Sequence, residues 1–146
     1  MLRRTLVALP LLLAAGFAQA QAPAAQPAAR LEPENTIYLD LKDGRVVIRL
    51  RPDLAPKHVQ QIKTLVKRGF YNGIVFHRVI PGFMAQTGDP TGTGTGGSDL
   101  PNIPQEFTVA PFKRGTLGMA RASDPNSANS QFFIMFGDGS FLNGQY

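Results

Sequence analysis

One permanent cation, Arg78, stands in the middle of an apolar run of the sequence. Ile74 to Phe76 precede it, and the residues that follow it are also mostly hydrophobic: Val79, Ile80, Phe83 and Met84. A guanidinium stays charged at physiological pH, and burying it without a partner is costly. Residue type alone favours a salt bridge to an acidic neighbour. The other interpretation is a hydrogen-bond donor at the rim of an apolar pocket.

The residue types that are missing narrow the chemistry. The chain has no cysteine, which excludes disulfides, thiol nucleophiles and cysteine-ligated zinc. Its two histidines, His58 and His77, are far apart in the sequence, and neither has a second ligand pattern nearby. The sequence therefore predicts neither a catalytic metal site nor a cofactor.

The glycine-rich segment 88–104 contains a Gly-x-Gly-x-x-Gly pattern over Gly92, Gly94 and Gly97. A dinucleotide site needs a strand before this pattern and a helix after it. Here no helix can begin, because the segment continues with turn residues and prolines: Asp99, Pro101 and Pro104. We therefore expect a surface loop, either flexible or wrapped, and no nucleotide site.

The elements that must position these residues begin with a hairpin and a helix. Residues 36–41 and 45–50 are alternating apolar runs, and the Asp-Gly turn between them is a strong hairpin signal. Residues 53–69 have the apolar spacing of an amphipathic helix. Asp53 is the expected N-cap, Gly69 the expected end, and His58 is expected on the helix surface. The apolar stripe is Val59, Ile62, Leu65 and Val66.

Four further strand-like pieces follow at 74–79, 83–86, 115–121 and 131–136. Together with the hairpin they predict an antiparallel sheet closed into a barrel or a sandwich. The composition, 43% hydrophobic and 17% charged, is typical of a globular protein. The net charge is +5, and without Arg3 and Arg4 it is +3, a mild excess. No basic and aromatic array accompanies it, so we predict no nucleic-acid partner.

The first thirty-five residues differ in composition from the rest of the chain. Two arginines precede an apolar run over 6–17, and residues 18–20 read Ala-Gln-Ala, the form of a cleavage site. We predict an export signal over 1–20. An uncleaved anchor is the alternative, although the run is too short to span a bilayer comfortably. Residues 21–35 are rich in alanine and proline and read as a linker, with the folded domain starting near Thr36.

Four segments together closely resemble the cyclophilin-type peptidyl-prolyl isomerases. They are FHRVIPGFMAQTGDPTGTGTGG (76–97), GTLGMARA (115–122), NSQFFI (129–134) and FLNGQY (141–146). The resemblance covers residues 36–146 and implies a closed antiparallel eight-stranded barrel flanked by two helices. It also implies that the closing strand and second helix would follow Tyr146, so the domain 36–146 is expected to be incomplete at its C terminus and to leave open edges.

The resemblance implies the site residues as well. Arg78, Phe83 and Gln86 match the catalytic positions of the family. The positions that match its substrate-binding residues are His77, Met84, Ala120, Arg121, Ala122, Gln131, Phe133, Phe141, Leu142 and Tyr146. Among them, His77 is expected to be a structural imidazole beside the pocket. Gln131 is expected to lie beside Gln86, with a satisfied barrel amide as the alternative.

Three substitutions depart from the family pattern. Arg121 stands where asparagine is usual; backbone contacts tolerate that change, and the charge of the side chain favours acidic substrates. Phe141 stands where many members have tryptophan, which predicts weak inhibition by cyclosporin with catalysis retained. Tyr146 stands where histidine is common.

The expected function is that of an isomerase of X-Pro bonds in exported proteins, located in the periplasm and monomeric. Its partners would be flexible or unfolded polypeptides that contain proline, with no membrane attachment after signal cleavage. One alternative is a module that binds proline-containing segments, as a chaperone does, without significant turnover. Another is a fragment that does not fold and has no activity.

Overall fold

The computed structural model describes residues 31–146; the expected signal over 1–20 and most of the expected linker lie outside the described residues. The described part has one helix, α1 (Pro56–Lys67), and two short 3-10 turns, Pro33–Asn35 and Ser140–Leu142. Its six strands are β1 (Thr36–Leu41), β2 (Gly44–Arg49), β3 (Arg78–Ile80), β4 (Met84–Thr87), β5 (Leu117–Met119) and β6 (Phe132–Met135). Within this part, no helix has the length and apolar character that crossing a membrane would require.

The hairpin of β1 and β2 forms as the Asp-Gly turn predicts. The strands are antiparallel and end with Leu41 opposite Gly44. Gly44 has a φ of 145°, in the range that L side chains rarely adopt, which is why glycine suits this turn. The carbonyl of Asn35 accepts a hydrogen bond of 2.7 Å from the N–H of Leu50. Ordered structure therefore reaches into the expected linker.

The helix forms where the apolar spacing predicts it, with Val59, Ile62 and Leu65 buried. Val66, expected in the same stripe, is 37% exposed. The expected cap is wrong. The helix begins at Pro56 with Ala55 as its N-cap residue, so Asp53 lies too early in the chain to accept from the first free N–H groups.

A carboxylate from a distant loop caps the helix instead. Asp53 binds the guanidinium of Arg51 at 2.6 and 2.8 Å. The backbone N–H groups of Lys57 and His58 each donate to Glu106 at 3.0 Å. The same carboxylate lies 2.6 Å from Nδ1 of His58, whose side chain is only 11% exposed. The expectation that His58 lies on the helix surface is therefore wrong, because Glu106 draws it inward.

The other four strands form one antiparallel sheet in the order β3-β4-β6-β5. Residues 31–146 thus show six strands in two sheets rather than eight strands in one. No strand ladder joins the two sheets in this part of the chain. Closure into an eight-stranded barrel stays a prediction.

The core lies on both faces of the four-stranded sheet, because side chains alternate along β6. Phe132 packs with Leu50, Val59 and Ile62, which joins the sheet to the hairpin and the helix. Phe133 and its neighbour on the same face, Met135, pack in a second cluster with Met84 and Phe112. Burying a phenylalanine side chain contributes about 1.5–3 kcal/mol, so each cluster is a substantial source of stability.

Candidate functional site

A single row across the four-stranded sheet carries the main site residues. Arg78 on β3 lies opposite Gln86 on β4, Gln86 lies opposite Phe133 on β6, and Phe133 lies opposite Gly118 on β5. Residues that are directly opposite in an antiparallel sheet point to the same face. The strand register therefore places a cation, an amide and an aromatic ring side by side.

The two polar side chains of this row are linked by hydrogen bonds to a third, Gln131. Arg78 donates from Nη1 to Oε1 of Gln86 at 3.4 Å, and Gln86 donates from Nε2 to Oε1 of Gln131 at 2.9 Å. Gln131 is therefore next to Gln86, as the resemblance implies. Gln131 in turn donates from Nε2 to the carbonyls of Gly94 and Gly96 at 3.1 and 2.8 Å. Because carbonyls only accept, this end of the chain of hydrogen bonds fixes the orientation of both amides.

The environment of Arg78 answers the question that its sequence context raises. The residue is exposed rather than buried. Within residues 31–146 no carboxylate lies within 4.0 Å of its guanidinium, so the salt-bridge interpretation is not what the structure shows. Its partner is the neutral amide of Gln86. No carboxylate of the described residues therefore neutralises the guanidinium, and most of its N–H donors have no partner within residues 31–146.

Apolar side chains form a cluster beside this row. Met84 and Phe133 are buried at its centre, and the partly buried residues around them include Phe83, Ala120, Leu142 and Tyr146. The ring of Tyr146 meets that of Phe133 edge-on, with centroids 5.7 Å apart. Phe141 is 62% exposed and lies with its ring centroid 5.5 Å from that of Phe83. The predicted pocket residues therefore come together, with Phe141 at the outer edge.

Phe112 is a member of this cluster that the sequence analysis missed. Its ring stacks on Phe133 with centroids 5.8 Å apart. The close approach depends on Gly118, because a Cβ there would lie 2.6 Å from atoms of both rings. A glycine inside a strand is a recognised signal of close packing, and Gly118 is the feature that could have indicated a missing neighbour.

The segment 120–122 offers less free backbone than expected. The N–H of Ala120 donates to the carbonyl of Gln131 at 2.9 Å, and the N–H of Ala122 donates to Oγ of Ser127 at 2.9 Å. Of these three residues, only Arg121 has a backbone N–H without a partner in the described part of the chain. Among the backbone N–H groups of this segment, only that of Arg121 is left to donate to a peptide.

The side chain of Arg121 is engaged within the chain. Its guanidinium donates to the carbonyls of Ala122 and Gln145 at 2.9 and 3.1 Å and lies 4.6 Å from the centroid of the Tyr146 ring. These partners are neutral, so the positive charge remains. They hold the guanidinium against the ring of Tyr146, which restricts how far it can extend into solvent.

His77 lies beside the glycine-rich loop rather than in the row of site residues. Neither of its ring nitrogens has a hydrogen-bond partner in the described residues, although both atoms are buried. The ring lies against Gly94, since a Cβ there would be in van der Waals contact with Nε2 of His77 at 3.6 Å. A packing role is consistent with the expected structural imidazole.

Asp89 is the second residue that the sequence analysis missed. It is 1% exposed, and its carboxylate accepts hydrogen bonds from the N–H groups of Thr91, Thr93, Gly94 and Gly96. Burial would raise its pKa, but the hydrogen bonds from Thr91, Gly96 and Gly94 outweigh burial and hold the pKa below its usual range. The glycine-rich segment is thus a loop wrapped around a carboxylate. The expectation that it is not a nucleotide site agrees with this internal use of its N–H groups.

Comparison with known proteins covers the whole described domain. Residues 36–146 match the family model described as cyclophilin type peptidyl-prolyl cis-trans isomerase/CLD. A Brucella suis protein named "Probable peptidyl-prolyl cis-trans isomerase" is 60% identical over 146 residues, which cover 92% of this chain and 74% of that protein. An Aspergillus fumigatus protein, peptidyl-prolyl cis-trans isomerase-like 1, is 41% identical over 114 residues, covering 75% of this chain and 70% of that protein.

Solved structures give the same result. The cyclophilin AquaCyp293 from Hirschia baltica aligns with a TM-score of 0.73 and 31% identity over 80% of this chain, which spans 62% of that protein. A Cryptosporidium parvum cyclophilin crystallised in the presence of the dipeptide Ala-Pro aligns with a TM-score of 0.71 and 35% identity, covering 75% and 72% of the two chains. The chain belongs to the cyclophilin-type peptidyl-prolyl cis-trans isomerases.

Proposed function

We propose that this chain accelerates rotation about X-Pro bonds in exported proteins, and that Arg78 is its principal catalytic donor. The barrier to this rotation, about 18–20 kcal/mol, comes from amide resonance. Half-way through the rotation the proline nitrogen loses conjugation and its lone pair becomes able to accept a hydrogen bond. A donor aimed at that nitrogen stabilises the twisted state more than either planar state, which is what catalysis requires.

The observation that carries this proposal is the neutral setting of Arg78. A carboxylate paired with the guanidinium would compete with a substrate for its positive charge. Gln86 is neutral and contacts the guanidinium through a single long hydrogen bond of 3.4 Å. The guanidinium has five N–H donors in a planar fork, so most of them remain for a ligand. No bond is made or broken in the reaction, so neither a nucleophile nor a metal is needed.

The apolar cluster supports the binding side of the proposal. A proline ring is compact and apolar. The apolar cluster that contains Phe83, Met84 and Phe133 lies beside Arg78, because Gln86 stands between Arg78 and Phe133 in the same row of the sheet. We assign proline-ring contact to these residues together with Leu142 and Phe141. The related Cryptosporidium protein was crystallised in the presence of Ala-Pro, and a similar ligand suits the apolar surface here.

The test uses a tetrapeptide with one X-Pro bond, and NMR exchange spectroscopy measures the rate of its cis-trans isomerisation. We expect wild type to accelerate exchange and Arg78→Ala to lower kcat/KM by about 10²–10³-fold, the usual cost of removing one donor to a transition state. Arg45→Ala is the matched control, because Arg45 pairs with Asp40 on the hairpin. Equal rates for wild type and Arg78→Ala would contradict the assignment. Binding of the peptide by wild type without acceleration would favour a binding module.

Export is supported by the sequence of the first twenty residues, with its positive start, apolar run and Ala-Gln-Ala ending. Expression of the full chain in a bacterial host, followed by fractionation and N-terminal sequencing, tests it. We expect a periplasmic product that begins at Gln21. A product that retains Met1 in the cytoplasm would overturn the location and leave the isomerase assignment intact.

A further inference from the structure

We propose that Asp89 is a positioning residue for catalysis, which acts on Arg78 through the glycine-rich loop and two glutamine amides. This inference rests on the proposed function of Arg78. It adds a buried carboxylate to the catalytic residues of the sheet, and this carboxylate contacts neither the substrate nor the guanidinium.

The first step is that Asp89 fixes the loop through hydrogen bonds to its backbone. Its carboxylate oxygen Oδ2 accepts from the N–H of Gly94 at 2.6 Å and from the N–H of Gly96 at 3.1 Å. Its other oxygen accepts from the N–H and the hydroxyl of Thr91, both at 2.8 Å. A buried carboxylate with this many donors is a strong and well-directed anchor, because charged hydrogen bonds are about twice as strong as neutral ones.

The second step is that the same two glycines face the site with their carbonyls. Gly94 and Gly96 accept from Nε2 of Gln131 at 3.1 and 2.8 Å. Each of these glycines therefore has its N–H on Asp89 and its C=O on Gln131. A shift of the carboxylate moves both carbonyls, and two acceptors on one NH₂ group leave Gln131 no alternative orientation.

The third step passes this orientation to Arg78. With its NH₂ group on the loop, Gln131 must present Oε1 to Gln86, which donates to it from Nε2 at 2.9 Å. Gln86 must then present Oε1 to the guanidinium, where Nη1 of Arg78 donates at 3.4 Å. A reversed Gln86 would bring its NH₂ group against the donors of Arg78 and push the cation away. A reversed Gln131 would bring its NH₂ group against that of Gln86 and so force Gln86 to reverse as well.

The sequence of the loop agrees with this role. Gly96 cannot carry a side chain, because a Cβ there would overlap Oδ1 of Asp89 and lie 2.9 Å from Oγ1 of Thr91. Gly94 has a φ of 89°, in the region that glycine favours. The glycines thus allow the backbone to fold closely around the carboxylate, which is a structural reason for a pattern that resembles a nucleotide fingerprint.

The test measures kcat and KM for X-Pro isomerisation in Asp89→Asn, Gln131→Ala and the double variant. Asp89→Asn replaces one oxygen by an NH₂ group that faces backbone donors, so the loop carbonyls move. We expect kcat to fall about tenfold to a hundredfold, the cost of misplacing a catalytic group by up to about 1 Å. KM should change little, because no residue of the apolar cluster belongs to the loop. Asp99→Asn is the control, since that side chain is 81% exposed.

The double variant separates positioning from a general loss of structure. If Asp89 acts through Gln131, Asp89→Asn has no further effect on kcat once Gln131 is alanine. Effects that multiply would overturn the proposal, as would an Asp89→Asn variant with wild-type kcat. Gly96→Ala provides a second disturbance of the same loop if Asp89→Asn folds poorly, and the same non-additivity with Gln131→Ala is expected.

A spectroscopic measurement keeps this inference distinct from the proposed function. The side-chain NH₂ resonances of Gln86 and Gln131 report their hydrogen bonds whether or not the protein turns over peptide. We expect Asp89→Asn to shift both pairs and Asp99→Asn to shift neither. Unmoved Gln86 resonances in Asp89→Asn would refute the coupling even if Arg78 proves catalytic. If Asp89→Asn shifts these resonances as expected but the wild type does not accelerate exchange, the proposed function alone is refuted.

Discussion

Arg78 and Gln86 are direct partners across β3 and β4, and Nη1 of the arginine lies 3.4 Å from Oε1 of the glutamine. This distance is longer than the usual range of about 2.7–3.2 Å for such a bond. The amide therefore steers the guanidinium without holding it tightly. A neutral partner is important here, because a carboxylate at the same place would compete with a substrate for the positive charge.

The first prediction is that Gln86→Glu lowers activity although the side chain keeps its shape. The new carboxyl faces the guanidinium and forms an ion pair with it, so Arg78 turns from the ligand. We expect kcat/KM to fall about tenfold at pH 7, since a charged hydrogen bond is stronger than a neutral one by about 1 kcal/mol or more. The measurement is the X-Pro exchange rate at pH 7.

The control for this variant is Gln60→Glu on the exposed face of α1, which adds the same charge far from the site. It is expected to leave kcat/KM unchanged. Full activity in Gln86→Glu would show that Arg78 does not need a neutral neighbour. Part of the activity should return in acid as the new carboxyl takes up its proton, an effect that wild type lacks.

Much of the fold could be predicted because its signals are local. The alternation in residues 36–41 and the Asp-Gly turn specify the hairpin, and the spacing of Val59, Ile62 and Leu65 specifies α1. The region before Arg78 is the exception. Residues 74–76 are apolar but form no strand, and Val75 is 58% exposed. An apolar run does not reveal which of its residues find a partner strand.

Some residues in and around the site could likewise be predicted from the sequence and others could not. The family motif includes Arg78 and Gln86, and the structure places these side chains together. The roles of Asp89, Glu106 and Phe112 could not be read from the sequence, because each depends on contacts that no local pattern encodes. Glu106, for example, caps a helix that begins fifty positions earlier in the chain, at Pro56. Asp53, beside the helix in sequence, is the residue that local rules select wrongly.

The second prediction contrasts two phenylalanines of the pocket. Phe133 is 6% exposed at the centre of its cluster, whereas Phe141 is 62% exposed at the outer edge. Phe133→Ala should lower the free energy of unfolding by about 3–5 kcal/mol, through lost transfer energy and a cavity. Phe141→Ala should change it by less than about 1 kcal/mol and raise KM for a proline peptide. Urea unfolding and isomerisation kinetics measure both effects; equal destabilisation would contradict the assigned burial.

The third prediction concerns the close packing of two aromatic rings against Gly118. A methyl group there would lie 2.6 Å from ring atoms of both Phe112 and Phe133, so Gly118→Ala must displace one of the rings. We expect a loss of about 1–3 kcal/mol in the free energy of unfolding, the usual cost of overpacking. Because Phe133 belongs to the apolar cluster that we propose contacts the proline ring, KM should also rise. The double variant Gly118→Ala with Phe112→Leu makes room and should recover part of the KM change. No recovery would show that the rings are not the obstacle.

The fourth prediction is a pH dependence of stability centred on Glu106. Burial would raise the pKa of Glu106, but the hydrogen bonds from the His58 side chain and from the N–H groups of His58 and Lys57 lower it below its usual 4.5. The unfolded chain therefore takes up a proton at higher pH than the folded chain does. The stability that Glu106 contributes is complete above about pH 4.5 and is lost as the pH falls further.

Glu106→Gln tests this directly, because it removes the titrating group and keeps one oxygen at the helix. We expect it to lower the free energy of unfolding by about 1–3 kcal/mol at pH 7, the cost of weakening charged hydrogen bonds at a buried site. The difference from wild type should shrink between pH 5 and pH 3, measured by urea unfolding at each pH. Glu34→Gln is the control, since that carboxylate is 89% exposed and 3.9 Å from Lys63. A difference that stays constant down to pH 3 would mean that the charge of Glu106 does not stabilise α1, and the oxygen atom alone would then be the cap.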